Sequence, residues 1–430
     1  MKVLVIGGGG REHALVWKLS KSPLVKKLFA VPGNSGIQQL AHIHPISVNR
    51  IEDIFSFVKR EQIDLTVVGP EIPLTLGIVD RFEREGRAIV GPTAIGAEIE
   101  GSKVFSKEFM ERNGIPNAKG DTVFSVQEAS AFFKKNPPPY VIKADGLAGG
   151  KGVIIAQSEE EATGVVTNMM EGECFGDAGK RCVVEEFLQG EEVSFIVLTD
   201  GEKICPFVSS QDYKRVGDGD QGSNTGGMGA FAPSPLISDR LRSRIIKEVI
   251  EPTIQGMTKE GRPYRGFLYA GLMISPSNNP KEEEILHVLE FNARLGDPEA
   301  QVILPLLKTD LIEVFLELAN GQLKEDALVF KDQKAITVVM ASKGYPGSYE
   351  KGKEIKGISF SEKSSDISIF HAGTQMENEK WYTDGGRVLA VTALGKSFPD
   401  AHRKVYNAVE KISFDGAYYR RDIAKKVLTS

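Results

Sequence analysis

Met1-Lys-Val-Leu-Val-Ile-Gly-Gly-Gly-Gly-Arg-Glu-His-Ala-Leu-Val-Trp-Lys-Leu19 opens the chain with an apolar run, four glycines and an amphipathic stretch. Residues 2–6 are a predicted strand, Gly7 to Gly10 a tight turn and residues 12–19 a helix, which together make one βα unit. The apolar run is too short for a signal sequence or a membrane span and turns at once into glycine. Lys27-Leu-Phe-Ala-Val31, Leu65-Thr-Val-Val68 and Ala88-Ile-Val90 alternate with helical patterns at 51–61 and 76–86. Short strands alternating with helices predict a parallel sheet with helices on its faces, so residues 1–101 read as a Rossmann-like domain.

The glycine turn does not complete a dinucleotide fingerprint. G-x-G-x-x-G would put its third glycine at Glu12, and the second strand ends in Ala30-Val-Pro-Gly-Asn34 without the carboxylate that a ribose needs. A ribose-phosphate site at the same helix N-terminus, using Gly9, Gly10, Arg11, Asn34 and Glu71, is the functional expectation; a purely structural turn is the alternative.

Beyond Gly101-Ser-Lys103 a helix runs to about Arg112 and is broken by Asn113-Gly-Ile-Pro116. Tyr140-Val-Ile-Lys-Ala144 and Val153-Ile-Ile-Ala156 are strands flanking Asp145-Gly-Leu-Ala-Gly-Gly-Lys-Gly152. That loop is not a Walker A motif, because Asp145 and Gly152 stand where glycine and Ser or Thr are required. Its glycines still allow close backbone approach to phosphates, and Lys143 and Lys151 bracket it with positive charge. Glu185 to Glu192 packs four carboxylates around a strand end, where the backbone at Glu186 and Leu188 can imitate a base-pairing edge. Gln211 to Gly229, rich in Gly and Asp, reads as a ligand cover.

Leu289-Glu-Phe-Asn292 is an apolar strand with Glu290 and Asn292 on one face and Leu289 and Phe291 on the other. A carboxylate and an amide oxygen are hard ligands that suit Mg²⁺ or Mn²⁺ beside phosphates. Arg294 and the Gly296-Asp297-Pro298-Glu299 turn crowd the same strand end. From Ala335 the pattern restarts, with strands at 335–340 and 387–392 and a helix at 397–411. The expected division is 1–101, 102–328 with a lid subdomain at about 116–190, and a small α+β domain at 329–430.

A net charge of −5 with 26% charged residues of both signs gives no polybasic footprint for nucleic acid. Cys174, Cys182 and Cys205 show no paired metal-type spacing, so a reducing cytoplasm is expected and a disulfide framework is not. A monomer without membrane association is expected.

Lys103, Lys143, the loop with Lys151, Glu185 to Glu192 and Glu290-x-Asn292 fall in the order found in ATP-grasp ligases. With Gly7 to Ala14, Val68-Gly-Pro-Glu-Ile-Pro-Leu74, Gln211-Asp-Tyr-Lys-Arg215, Asn224-Thr-Gly-Gly-Met-Gly229, Gly344-Tyr-Pro-Gly347 and Tyr418-Tyr-Arg-Arg-Asp422, the whole chain resembles the glycinamide ribonucleotide synthetase family. The resemblance implies ATP-dependent ligation of glycine to 5-phospho-β-D-ribosylamine through a glycyl phosphate. It implies that Lys103 and Lys143 hold ATP phosphates, Lys151 closes from the lid, Glu185, Glu186 and Leu188 read adenine, and Glu192 binds ribose. Glu290 and Asn292 would hold Mg²⁺ or Mn²⁺; Tyr269-Ala-Gly-Leu-Met273 offers no third acidic ligand, so phosphates and water complete the shell. Asp212 is expected to meet an ammonium group, Gly226 and Gly227 to contact substrate, and Arg294 to meet an acyl or ribotide phosphate. A relative that activates bicarbonate or formate, a dinucleotide oxidoreductase and a silent nucleotide-binding module are the competing readings.

Overall fold

The computed structural model describes residues 1–147, 152–172, 179–276, 283–361 and 365–428. Lys151 and Cys174 lie outside the described residues. The first 101 residues form β1 (Lys2–Gly7), α1 (Gly10–Leu19), β2 (Lys27–Pro32), β3 (His42–Ile43), α2 (Ile51–Glu61), β4 (Leu65–Val68), α3 (Glu71–Thr75), α4 (Ile78–Glu83), β5 (Ile89–Val90) and α5 (Ala94–Gly101). The sheet order is β3-β2-β1-β4-β5 and every pairing is parallel, as the alternating pattern predicts. The helix expected over 76–86 is shorter, α4 covering only Ile78–Glu83, and Gly77 at φ +81° separates it from α3.

α6 (Lys103–Arg112) leads into a four-stranded antiparallel sheet with β6 (Gly120–Val123), β7 (Tyr140–Ala144), β8 (Val153–Ala156) and β9 (Cys182–Glu186), in the order β6-β9-β7-β8. α7 (Val126–Phe133) and α8 (Glu159–Glu171) supply helical side chains to its core. Phe133, Tyr140, Ile142, Val166 and Val184 pack there as a cluster of their own, distinct from the cores of the other layers. A second antiparallel sheet, β11-β10-β16-β17, is built from β10 (Glu191–Thr199), β11 (Ile204–Pro206), β16 (Gly266–Ser275) and β17 (Ile285–Asn292). Its core is shared with the N-terminal sheet: Phe29, Phe57, Phe195, Leu268 and Phe291 belong to one buried cluster.

The segment Gln211 to Gly229, read as a loose cover, is more ordered than expected. It carries β12 (Gln211–Asp212), the ribbon of β13 (Arg215–Gly217) and β14 (Gln221–Asn224), and the start of β15 (Gly229–Ala232). α9 (Asp239–Ile245) and α10 (Glu251–Lys259) then pack on the second sheet, and α11 (Ala300–Leu306) and α12 (Leu311–Ala319) follow β17. The last region contains β18 (Lys334–Ser342), β19 (Glu354–Ile355), α13 (Ile358–Ser361), β20 (Ile367–His371), β21 (Thr374–Glu377), β22 (Lys380–Thr383), β23 (Arg387–Gly395), α14 (Phe398–Val409) and β24 (Ala417–Tyr418). β12 and β15 extend its sheet to β12-β15-β18-β23-β20, with Gly229 opposite Val338 and Ala232 opposite Ala335. This sheet therefore runs across the boundary expected near residue 328. Backbone pairing between strands distant in sequence leaves no compositional trace, which is why a glycine-rich stretch hides β12 and the start of β15.

No helix among the described residues is long and apolar enough to cross a membrane.

Candidate active site

A cavity of about 810 Å³ lies where the three regions meet, and Lys103, Lys143, Glu185, Glu186, Leu188, Glu192, Asp212, Gly226, Glu290, Asn292, Arg294, Arg11 and Glu71 all line it. Residues scattered from 11 to 294 along the chain thus converge on one space.

At one end, Lys103 is the first residue of α6, where the Ser102 hydroxyl caps the helix by accepting from Phe105 N–H. Its Nζ is 2.7 Å from Oε2 of Glu290. Burial by itself would raise the Glu290 carboxyl, but Lys103, Lys214 and Lys143 outweigh it and hold the group well below the usual carboxylate range. Lys143 Nζ lies 2.5 Å from Oε2 of Glu185 and donates to the Leu289 carbonyl at 2.9 Å. The other oxygen of Glu185 is 3.3 Å from Lys107, one turn beyond Lys103 on the same helix. Glu185 is thus the buried counter-ion of two lysines, so its carboxylate is engaged rather than presented to a base. Glu186 spends its N–H on the Lys119 carbonyl at 2.9 Å, which leaves its own carbonyl as the group to consider for ligand contact.

β17 does not alternate as simply as expected. Gly271 pairs with Glu290 and Leu272 with Val288, so Leu289 is the extra residue of a bulge. Leu289 lines the cavity beside Glu290 instead of facing away, while Phe291 stays in the core. Glu290 and Asn292 remain two hard oxygen donors on the cavity wall, and no histidine or cysteine is found among the described residues that line it. This donor set fits Mg²⁺ or Mn²⁺ with phosphate oxygens completing the shell, and does not fit zinc. No group of three or more His, Cys, Asp or Glu suited to a metal occurs among the described residues.

At the other end, Arg294 is clamped by two carboxylates: Nε is 3.1 Å from Glu71 and Nη2 is 2.8 Å from Glu100. Burial disfavours its charge, yet Glu100 and Glu71 keep it protonated at any ordinary pH. The second oxygen of Glu100 accepts from Ala293 N–H at 2.7 Å, so α5 grips the residue that follows β17. Asp212 is pushed up to about 7, chiefly by burial; Lys214 pulls it down while Glu299 and Glu192 push it up. Lys214 Nζ lies 2.5 Å from Glu192, and Glu299 accepts from Ser194 Oγ at 3.0 Å.

The N-terminal glycines make room for a buried carboxylate. Gly9 N–H donates to Glu12 Oε2 at 2.7 Å and Arg11 Nε to Glu12 Oε1 at 2.6 Å, so a buried carboxylate from within α1 occupies the helix N-terminus. A Cβ at Gly7, Gly9 or Gly69 would collide with that Glu12 side chain, one at Gly8 with the Gly33 carbonyl, and one at Gly10 with Gln301. Asn34 donates to the carbonyls of Gly8 at 2.8 Å and His371 at 2.9 Å and accepts from Ile37 N–H. Asn34 thus ties the first region to the last and Gly10 packs against Gln301, and neither they nor Gly9 line the cavity, whereas Arg11 and Glu71 do. Gly227, at φ +107° against the Pro298 ring, shapes the loop from behind.

Three family models together match most of the chain: the N domain of phosphoribosylglycinamide synthetase over residues 1–100, its ATP-grasp (A) domain over 101–300 and its C domain over 335–426. The chain belongs to the phosphoribosylglycinamide synthetase family. It is 47% identical to the phosphoribosylamine–glycine ligase of Salmonella typhimurium over 431 residues, covering 100% of this chain and 99% of the relative. The crystal structure of phosphoribosylamine–glycine ligase from Thermotoga maritima superposes with a TM-score of 0.85 at 36% identity, covering 99% of this chain and 100% of that one. The biotin carboxylase domain of Hydrogenobacter thermophilus 2-oxoglutarate carboxylase, solved with MgADP and bicarbonate, shares the fold, with a TM-score of 0.73 at 18% identity over 97% of this chain and 91% of that one.

Within this family member, sequence reasoning missed Glu100, Lys107 and Arg387. Lys107 was detectable in principle, since residues four apart share a helix face with Lys103. Glu100 and Arg387 carry no local signal; each acquires its partners only through contacts some 90 to 190 residues away.

Proposed function

We propose that the chain ligates glycine to 5-phospho-β-D-ribosylamine, using ATP and giving glycinamide ribonucleotide, ADP and phosphate through a glycyl phosphate. What supports this reading, beyond family membership, is a single cavity lined by Lys103, Lys143 and Glu290 at one end and by Asp212, Arg294 and Glu71 at the other. Such a space lets a phosphorylated acid form at the first end and be captured by an amine at the second without leaving the cavity.

A glycine carboxylate oxygen attacks the γ-phosphorus, the bond to the β-phosphate oxygen breaks, and ADP leaves. The ribosylamine nitrogen then attacks the carbonyl carbon, inorganic phosphate departs and the nitrogen loses a proton. No protein nucleophile is required, so positioning and charge neutralisation carry the acceleration. Lys103 and Lys143 meet ATP phosphates, and Lys151 joins them from the loop. The Glu186 carbonyl and Leu188 N–H take the adenine edge, beside Glu185, and Glu192 takes the ribose hydroxyls. Mg²⁺ or Mn²⁺, when bound at Glu290 and Asn292, supplies neutralisation of phosphate charge. Asp212 receives the glycine ammonium beside Gly226, and Arg294, fixed by Glu71 and Glu100, meets the acyl phosphate or the ribotide phosphate. We infer a working monomer; the buried thiols of Cys182 and Cys205 fit a cytoplasmic setting.

The test is ADP release from Mg-ATP with glycine, with and without phosphoribosylamine generated in situ from ribose 5-phosphate and ammonia. Formate and bicarbonate replace glycine in parallel. ADP release that requires glycine and ribosylamine together is expected; turnover with another acid instead overturns the substrate assignment.

A further inference from the structure

We propose that Tyr345 and Arg387, both in the last region, are positioning residues that hold the Gly226 peptide and thereby shape the end of the cavity where glycine and the ribosylamine bind. The inference rests on the ligase reading above. Gly226 N–H donates to Tyr345 Oη at 3.0 Å, and Arg387 Nη1 donates to the Gly226 carbonyl. The same guanidinium donates to the Asp297 carbonyl at 3.0 Å and lies 3.2 Å from its carboxylate. Both hydrogen-bonding groups of one residue on the cavity wall are thus held from the last region, and Arg387 ties that wall to the 296–299 turn opposite.

The sequence needs such help at this point. Gly226 and Gly227 lack side chains, Gly227 sits at φ +107°, and a glycine pair loses more conformational freedom on ordering than any other. Thr225 supplies one local restraint, its hydroxyl accepting from Gly227 N–H at 3.0 Å and donating to the Lys214 carbonyl at 2.8 Å. Gly226 itself is left to Tyr345 and Arg387. The fit is close: a Cβ at Gly226 would sit 3.0 Å from the Arg387 guanidinium carbon, and one at Gly386 would collide with the Tyr345 ring. Lys103, Lys143, Glu185 and Glu290 at the ATP end hold one another through bonds that involve neither Tyr345 nor Arg387, so variants at these two positions leave those bonds in place.

The experiment measures ADP release by the full chain while each substrate is varied in turn, for wild type, Tyr345→Phe, Arg387→Lys and the control Tyr349→Phe, with melting temperatures for all four. Tyr345→Phe keeps the ring and removes the acceptor. We expect KM for glycine and for ribosylamine to rise about fivefold, the scale of one lost hydrogen bond, with KM for ATP and the melting temperature unchanged. Arg387→Lys moves the same constants further, because a lysine cannot span both carbonyls, and Tyr349→Phe matches wild type. Equal rises in all three KM values, or wild-type constants in both Tyr345→Phe and Arg387→Lys, overturn the inference while leaving the ligase reading intact. A wild-type chain without glycine- and ribosylamine-dependent turnover overturns that reading, and the inference with it.

Discussion

Lys103 Nζ lies 2.7 Å from Oε2 of Glu290, joining the first residue of α6 to the cavity strand β17 across 187 positions of sequence. The pair keeps a partly buried carboxylate ionised and places a cation beside a candidate metal ligand. Glu290→Gln keeps the shape and removes the charge. Turnover is expected to fall by about a hundredfold or more, the scale for losing one electrostatic group in a preorganised site, with a higher Mg²⁺ requirement. ADP release over a Mg²⁺ titration measures both, and unchanged values would remove Glu290 from the site.

Glu185 lies between Lys143 at 2.5 Å and Lys107 at 3.3 Å, with side-chain exposures of 5%, 11% and 3%. Glu185→Ala removes the buried carboxylate shared by two lysines, leaving Lys107 only the more exposed Glu111 at 3.6 Å, a loss expected at about 3–5 kcal/mol. Denaturant melts of the two proteins measure it; a change below about 1 kcal/mol, the range of exposed pairs, would mean that water already screens this cluster.

Asp212 is neutral below and ionised above about pH 7, because burial and the nearby Glu299 and Glu192 raise it against the pull of Lys214. If the carboxylate receives the glycine ammonium, KM for glycine falls as pH rises through 7, and Asp212→Asn flattens that profile. Parallel profiles for wild type and variant would assign the ammonium to another group.

His13 and His371 link the first and last regions, with His371 N–H donating to His13 Nδ1 at 2.8 Å. Burial lowers His13 from 6.5 to about 4 and His371 to about 3, with repulsion from His13 adding to the latter. Both rings are therefore neutral in the folded state at pH values where the unfolded chain is already protonated. Their stability contribution is complete above pH 6.5 and is lost as pH falls towards 4 and then 3, by about 1.4 kcal/mol per pH unit per ring. His13→Asn should show a shallower fall in melting temperature between pH 6.5 and 4; an identical slope would shift the acid sensitivity to other groups.

The βα alternation of the first region, both strands around the glycine loop and the polar face of β17 were legible because each is written in local periodicity. Lys103, Lys143, Glu290, Asn292 and Arg294 were legible for a related reason: hard ligands and cations beside glycine turns are chemically conspicuous. The glycine run 7–10 was only partly legible. Its residue types fit an anion cradle, but whether Glu12 folds back onto the turn depends on the space left by Gly7, Gly9 and Gly69, which come from two different strand ends.

The sequence by itself determined the order and type of most elements and the chemistry available along them, since hydrophobic period and residue type act over a few positions. The tertiary structure alone decided that β12 and β15 join the last sheet, that Leu289 bulges into the cavity, that Glu185 is shared by two lysines, and that Tyr345 and Arg387 reach Gly226. Those outcomes depend on pairings between segments far apart in the chain, whose register and packing are set by the whole fold.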